Sequence, residues 1–119
     1  LNDIVLKVDI EGDEYKILND IKKNSKKIIF LIIEFHNIHK NLRKLQKFLN
    51  NLDLKIIHIH ANNYGGVNKK NDPKVLELSL INSKIIKIKK KYSKSKYPII
   101  NLDYKNFKRR DDIKIRFND

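Results

Sequence analysis

The sequence predicts an α/β fold in which parallel strands alternate with helices before a final antiparallel strand. Short runs of β-branched residues alternate with segments whose apolar residues recur at helical spacing. The strongest run, residues 28–35, is apolar on both of its faces, which is typical of a strand inside a covered sheet. Three of the runs end in carboxylates, histidines or asparagines, and open α/β sheets bind ligands at that edge.

The first strand is predicted over residues 4–8 and the first helix over residues 12–23. Acidic residues occupy the first turn of this helix and lysines its last turn, which complements the helix dipole. Its apolar residues recur at helical spacing and are Tyr15, Leu18 and Ile21. The helix therefore joins the first strand to the second, residues 28–35.

The second helix is predicted over residues 37–52 and the third strand over residues 55–60. The buried stripe of the helix consists of Leu42, Leu45, Phe48, Leu49 and Leu52. Because strands and helices alternate, we expect the three strands to pair in parallel through right-handed crossovers. Both helices then lie on one face of the sheet, and the opposite apolar face has no cover within this chain.

The fourth strand, residues 75–81, follows a loop over residues 62–73 that contains Gly65 and Gly66. This loop is too short for a helical crossover, so the third and fourth strands are expected to pair antiparallel. Residues 85–88 are a candidate continuation of the fourth strand beyond a turn.

The domain division separates residues 1–88, which hold the sheet and its helices, from residues 89–119, a charged linker and a tail that docks on the same domain. Alternating apolar residues in the tail favour a short terminal strand at Ile113, Ile115 and Phe117. The chain has no methionine and begins with leucine, so we expect a segment of a longer protein or a processed chain.

The composition indicates which classes of partner to expect. The chain carries 27 Lys+Arg against 14 Asp+Glu, a formal net charge of +13, but nearly all of the positive charge is lysine. Because phosphate and base recognition usually recruits arginine, we expect no nucleic-acid partner. No apolar run approaches the roughly 20 residues of a membrane span, so we expect no membrane partner. The absence of cysteine suits a cytoplasmic location.

Polar side chains stand two residues apart at the ends of three predicted strands, and such pairs point to the same side of a strand. The pairs are Asp9 with Glu11, Glu34 with His36, and His58 with His60. Carboxylates and imidazoles at adjacent strand ends are able to hold a divalent cation or to act as general acid and base.

Simpler roles stay open for several of these residues. Asp9 is also suited to cap the following helix, and Glu11 to stabilise the helix N-terminus electrostatically. We interpret His58, inside an apolar strand, as a packing histidine. Asn62 and Asn63 are also suited to form a turn.

Several segments occur in a distinctive order along the chain. The first is Leu6-Lys7-Val8-Asp9-Ile10-Glu11-Gly12-Asp13-Glu14-Tyr15, and the next is Ile33-Glu34-Phe35-His36. They are followed by residues 58–64 and 75–78 and by tail segments at 97–98, 102–104 and 109–111. In this order the chain resembles the C-terminal half of the FkbM-type methyltransferases, a branch of the class I enzymes that depend on S-adenosylmethionine.

The resemblance implies a fold, a cofactor and a reaction. The fold is a Rossmann-like seven-stranded sheet whose last hairpin is antiparallel, with residues 1–88 as its C-terminal half. The implied reaction is methylation of a hydroxyl on a small molecule or sugar, with S-adenosylmethionine as the methyl donor. In that class a glycine-rich loop and an acidic residue on earlier strands hold most of the donor. Neither is present here, so the isolated chain is expected to lack the donor site.

The resemblance also implies roles for individual residues. Asp9, Glu11 and His60 are expected to act in catalysis, and Asp9 is also expected to contact the cofactor. The acceptor is expected to contact Glu34, His36, Asn62 and Asn63. Either a general base, Asp9 or a neutral histidine, takes the hydroxyl proton, or a cation bridging Asp9 and a neighbour lowers the pKa of the hydroxyl. Both routes stay open, and no metal ligand is assigned.

An alternative from another class is a non-catalytic remnant or binding module that keeps this sheet without a donor site. It would associate with another chain through the uncovered sheet face. In either case we expect a protein partner, or the missing N-terminal half of the domain, to cover that face.

Overall fold

The computed structural model describes residues 3–87, 91 and 93–115. The elements along these residues are β1 (Ile4–Val8), α1 (Glu14–Asn24), β2 (Ile28–Phe35), α2 (Ile38–Leu49), β3 (Leu54–Ala61) and β4 (Leu76–Asn82). A single 3₁₀ turn, Ser25–Lys27, links α1 to β2. The four main predicted strands and both helices are present, with ends that differ from the predicted ones by at most three residues.

The four described strands form one mixed sheet in the order β1-β2-β4-β3. β1 pairs parallel with β2, whereas β4 runs antiparallel to both β2 and β3. The antiparallel pairing of β3 with β4 was predicted and is confirmed. With its two helices, the chain is an α/β fold.

The expected direct pairing of β2 with β3 is wrong, because β4 lies between them. β2 and β3 still run in the same direction, since each is antiparallel to β4. The sequence of β3 suits an edge: it carries the exposed Lys55, and a bulge shifts its register between Ile56 and His58. Lysines and bulges are common devices for protecting sheet edges.

The core lies between the sheet and both helices, which pack on the same face as predicted. Leu31, Ile33 and Phe35 of β2 are completely buried on this face. The Phe35 ring lies 5.6 Å from the ring of Tyr15 in α1 and 6.1 Å from that of Phe48 in α2. Burying an aromatic side chain such as Phe35 stabilises the fold by about 1.5–3 kcal/mol. Because Phe35 is the last residue of β2, its contacts with Tyr15 and Phe48 hold the end of this strand in place.

The C-terminal tail covers part of the opposite face. Nε2 of His58 on β3 lies 2.7 Å from Oδ1 of Asp103, and the His58 and Tyr97 rings are 5.5 Å apart. The expectation that this face has no cover within the chain is therefore wrong at β3. The expectation of an uncovered face holds better at β1, where Val5 is 71% exposed.

The remaining structural expectations fall in or near the tail. Residues 83–86 form a turn and not a continuing strand, while residue 88 lies outside the described residues. Ile115 makes a single antiparallel bridge with Tyr97, and Phe117 lies outside the described residues. Over the part of the chain that the structure describes, none of the helices is both long and apolar enough for a bilayer span.

Candidate functional site

Chemically capable side chains converge where β1 and β2 end. Asp9 directly follows β1, Glu34 lies near the end of β2, and His36 follows it. One ligand atom from each of these three residues lies within 4.8 Å of the other two. We call Asp9, Glu34 and His36 the strand-end cluster. It occupies the edge where the resemblance and the strand pattern predicted a site.

A sharp turn joins β1 to α1 beside this cluster. Glu11 and Gly12 adopt φ angles of 55° and 106°, and the second of these is rarely open to a residue with a side chain. The turn leaves the Glu11 side chain 82% exposed, with its Oε2 atom 3.4 Å from Nε2 of His36. α1 begins only at Glu14, with Asp13 at the N-cap position, so Asp9 lies too far upstream to cap it.

Glu14 is completely buried although it stands at the first position of a helix. Its Oε2 accepts a hydrogen bond from the Gly12 N–H at 2.8 Å. Its Oε1 accepts one from the His36 backbone N–H at 2.5 Å and lies 3.2 Å from Nδ1 of the His36 ring. The buried carboxylate therefore ties the β1–α1 turn to the end of β2.

Glu14 also contacts the ring of His36. Its carboxyl group accepts from two backbone N–H groups, and its Oε1 atom faces Nδ1 of the ring. A proton on Nδ1 of His36 suits this contact, because the ring then donates to Glu14, while Nε2 lies 3.4 Å from Oε2 of Glu11. The Tyr15 hydroxyl donates to the His36 carbonyl oxygen at 2.7 Å and holds the backbone from the other side.

Glu34 is only 9% exposed and has a second acidic group beside it. Burial raises the pKa of Glu34 above its ordinary value, and the neighbouring Asp9 carboxyl raises it further. A hydrogen bond from Asn62 and the charge of His36 act in the opposite direction. The Asn62 Nδ2 atom donates to Glu34 Oε1 at 2.6 Å, so Asn62 positions this carboxyl group.

Two predicted site residues lie with the tail and not in the cluster. Asn63 is 1% exposed, and its side-chain amide donates to the Phe107 carbonyl at 3.0 Å and to the Arg110 carbonyl at 3.1 Å. His60 lies two strands from Glu34, with Glu77 between them. Its Nε2 atom is 3.7 Å from Oδ1 of Asp112, and neither buried atom has a hydrogen-bond partner among the described residues.

Of the predicted site residues, Asp9, Glu11, Glu34, His36 and Asn62 come together. Asn62 also forms the predicted turn, since its Oδ1 accepts the Tyr64 N–H at 3.0 Å. Sequence reasoning missed Glu14, which it treated only as a favourable charge at a helix N-terminus. The useful signal was position: a first-turn glutamate lies beside the end of the next parallel strand.

No family model matches the chain, and neither the curated proteins nor the solved structures contain a match to it.

Proposed function

We propose that this chain is the acceptor-binding part of a methyltransferase that uses S-adenosylmethionine and methylates a hydroxyl of a small molecule or sugar. The observation that carries the proposal is the strand-end cluster, together with the buried Glu14 that orients its histidine. Parallel strands that end in an oriented histidine and two carboxylates form a place to hold and deprotonate a hydroxyl. The antiparallel β3–β4 pair supports the second half of a class I, Rossmann-like sheet as the finer description of the fold.

The described residues do not form a complete site for the methyl donor. Asp9 is the one residue among them that the resemblance places at the donor, and the expected glycine-rich loop is not part of the sequence. S-adenosylmethionine supplies a methyl group activated by a sulfonium. The role that we assign to this chain is confined to the acceptor.

The chain's own residues supply orientation and a proton acceptor. An acceptor hydroxyl near Nε2 of His36 or the Asp9 carboxylate is within reach of a base, and aligned reactants gain much of their rate from that placement. Glu14, whose Oε1 atom lies 3.2 Å from Nδ1, holds the His36 ring in its orientation. Asn62 keeps the Glu34 carboxyl in place beside them.

The test is transfer of radiolabelled methyl groups from S-adenosylmethionine to a panel of sugar and small-molecule alcohols. The protein is used in a form extended upstream through the expected donor-binding strands. His36→Gln is expected to lower the rate by at least about 100-fold, the scale of general acid–base catalysis. His39→Gln, on the exposed surface of α2, is the matched control and should keep the full rate. Equal rates in the two variants would remove the cluster from the mechanism.

The alternative function, a binding module without catalysis, has one observation in its favour. β1 forms an edge of the described sheet, and its residues Ile4 and Val5 are 41% and 71% exposed. An apolar edge strand is a template for pairing with another strand. If calorimetry detects no S-adenosylmethionine binding by the extended protein, while a second chain pairs at β1, the module is the better description.

A further inference from the structure

We infer that the strand-end cluster binds one divalent cation, with Asp9, Glu34 and His36 as the protein ligands. The binding itself is independent of the proposed function. Only the catalytic role of the cation, polarising the acceptor hydroxyl so that it loses its proton more readily, rests on methyl transfer.

The placement of the three ligand atoms supports this cation site. They come from the ends of two hydrogen-bonded parallel strands and lie within 4.8 Å of one another. A cation bound at about 2.0–2.2 Å draws such atoms to its own coordination sphere with small side-chain rotations. Because the strand ends are fixed by the core, the site is largely formed before the cation arrives.

The residues that hydrogen-bond to the ligand side chains also support this site. A histidine that binds a metal usually donates its other ring N–H to a carboxylate, and Glu14 occupies that position next to Nδ1 of His36 at 3.2 Å. Asn62 orients the other ligand, Glu34, by donating a hydrogen bond to its Oε1 atom at 2.6 Å. A cation would take Nε2 of His36 from its 3.4 Å contact with the exposed Glu11 and would replace the hydrogen bond between the Asp9 and Glu34 carboxyl groups.

Acidic side chains are also concentrated around the cluster. Asp9, Glu11, Glu14 and Glu34 surround a single imidazole. Among the described residues, no lysine or arginine makes an ion pair with any of them. This is unusual in a chain with 27 Lys+Arg and a net charge of +13. Asp9 and Glu11 are exposed to water, and Glu14 already accepts two backbone N–H groups. The buried carboxyl group that lacks a cationic partner is Glu34, and a divalent cation would supply positive charge beside it.

The donor set indicates the class of cation. Two carboxylates and one imidazole suit a first-row transition metal better than Mg²⁺ or Ca²⁺, which prefer sites made of oxygen alone. With three protein ligands, positions remain for water and for an acceptor oxygen. We therefore choose Mn²⁺ as the probe, because its electron paramagnetic resonance signal distinguishes free from bound ion.

The experiment titrates the EDTA-treated chain with MnCl₂ and monitors the free-ion signal. One Mn²⁺ per chain is expected, with affinity reduced at least about tenfold in Asp9→Asn and in His36→Gln. Glu14→Gln should lose about 10–100-fold in affinity, as is typical when the residue behind a ligand is changed. Asp13→Asn and His39→Gln alter exposed groups nearby and should bind as the wild type does. Circular dichroism checks that each variant is folded.

Two outcomes overturn the inference: a folded wild-type chain that binds no Mn²⁺, or equal affinity in the wild type and Asp9→Asn. The methyl-transfer assay separates this inference from the proposed function. Stoichiometric Mn²⁺ binding by a protein that transfers no methyl groups would leave the site standing and remove the function. Methyl transfer that is unchanged after EDTA treatment would remove the catalytic role of the cation.

Discussion

Oε1 of Glu14 accepts the backbone N–H of His36 at 2.5 Å and lies 3.2 Å from the Nδ1 atom of the same residue. One carboxylate oxygen thus fixes both the backbone and the ring of a histidine 22 residues further along the chain. The contact links the first turn of α1 to the end of the neighbouring strand. It gives the site a rigid support that does not depend on any ligand.

Removing this carboxylate should destabilise the fold. Glu14→Ala leaves the N–H groups of Gly12 and His36 without partners, and we expect a loss of about 2–4 kcal/mol in the free energy of unfolding. Chemical denaturation followed by circular dichroism measures it. Asp13→Ala, which removes an exposed neighbouring carboxylate, should change the value by less than about 1 kcal/mol. A similar small change in Glu14→Ala would show that the buried contact is not a support.

Neutralising Glu34 should not destabilise the metal-free protein at neutral pH. Because the pKa of Glu34 is raised in the folded state, its favourable contribution is complete below its ordinary value of 4.5 and is lost as the pH rises through the folded pKa. Glu34→Gln stays neutral and can still accept from Asn62. We therefore expect this variant, in EDTA, to be as stable as the wild type or more stable at neutral pH. Any advantage should disappear below pH 4.5.

The control for that measurement is Glu77→Gln, since Glu77 lies directly opposite Glu34 on β4. An equal gain in Glu77→Gln would assign the effect to repulsion between the two carboxylates, and a clear loss of stability in Glu34→Gln would contradict the prediction.

Tyr15 should make stability depend on alkaline pH. Burial, aided by the negative charge of Glu14, raises the pKa of Tyr15 from 10.0 to about 12. The contribution of the phenol is thus complete below pH 10.0 and is lost as the pH rises towards about 12. Tyr15→Phe should be less stable than the wild type by about 0.5–1.5 kcal/mol below that window, and the difference should shrink across it. Denaturation curves at several pH values test this, and a constant difference would argue against it.

Asn63 should control how firmly the tail is held. Its Oδ1 accepts the Phe107 N–H at 2.8 Å, and its amide group donates to two tail carbonyls. Asn63→Ala should raise the rate of tryptic cleavage at Lys105 and Lys108 by roughly tenfold or more, since local opening becomes easier. Mass spectrometry identifies the cut sites. Asn41→Ala, which removes a local bond to the Asn37 carbonyl, is the control and should leave tail cleavage unchanged.

The sequence was informative wherever periodicity decides structure. Alternation in residues 28–35 located β2, and the parallel direction of β1 and β2 then placed Asp9 and His36 at one edge. Strand order was harder, because periodicity shows which residues are apolar but not which strand lies beside which. β4 lies between β2 and β3 because its backbone pairs with both while Leu78 and Leu80 are buried in the core, and this is a property of the packed sheet.

Glu14 and the tail show a different limit. A glutamate in a first helical turn is usually exposed, so nothing local in the sequence marked Glu14 as buried. The tail is held to Asn63, just after β3, through irregular backbone at Phe107 and Arg110, where no repeat of apolar residues exists to be recognised. Both features depend on contacts between residues more than 20 positions apart.

Asn62 and Asn63 are adjacent in the chain but bind different parts of the molecule: the first bonds to Glu34, the second to the tail. A single peptide unit therefore links the carboxylate site to the C-terminal segment. We therefore expect that a ligand that moves Glu34 and Asn62 would alter how firmly Asn63 holds the tail. By thermodynamic reciprocity, release of the tail would then change the ligand affinity by the same factor by which the ligand changes release of the tail.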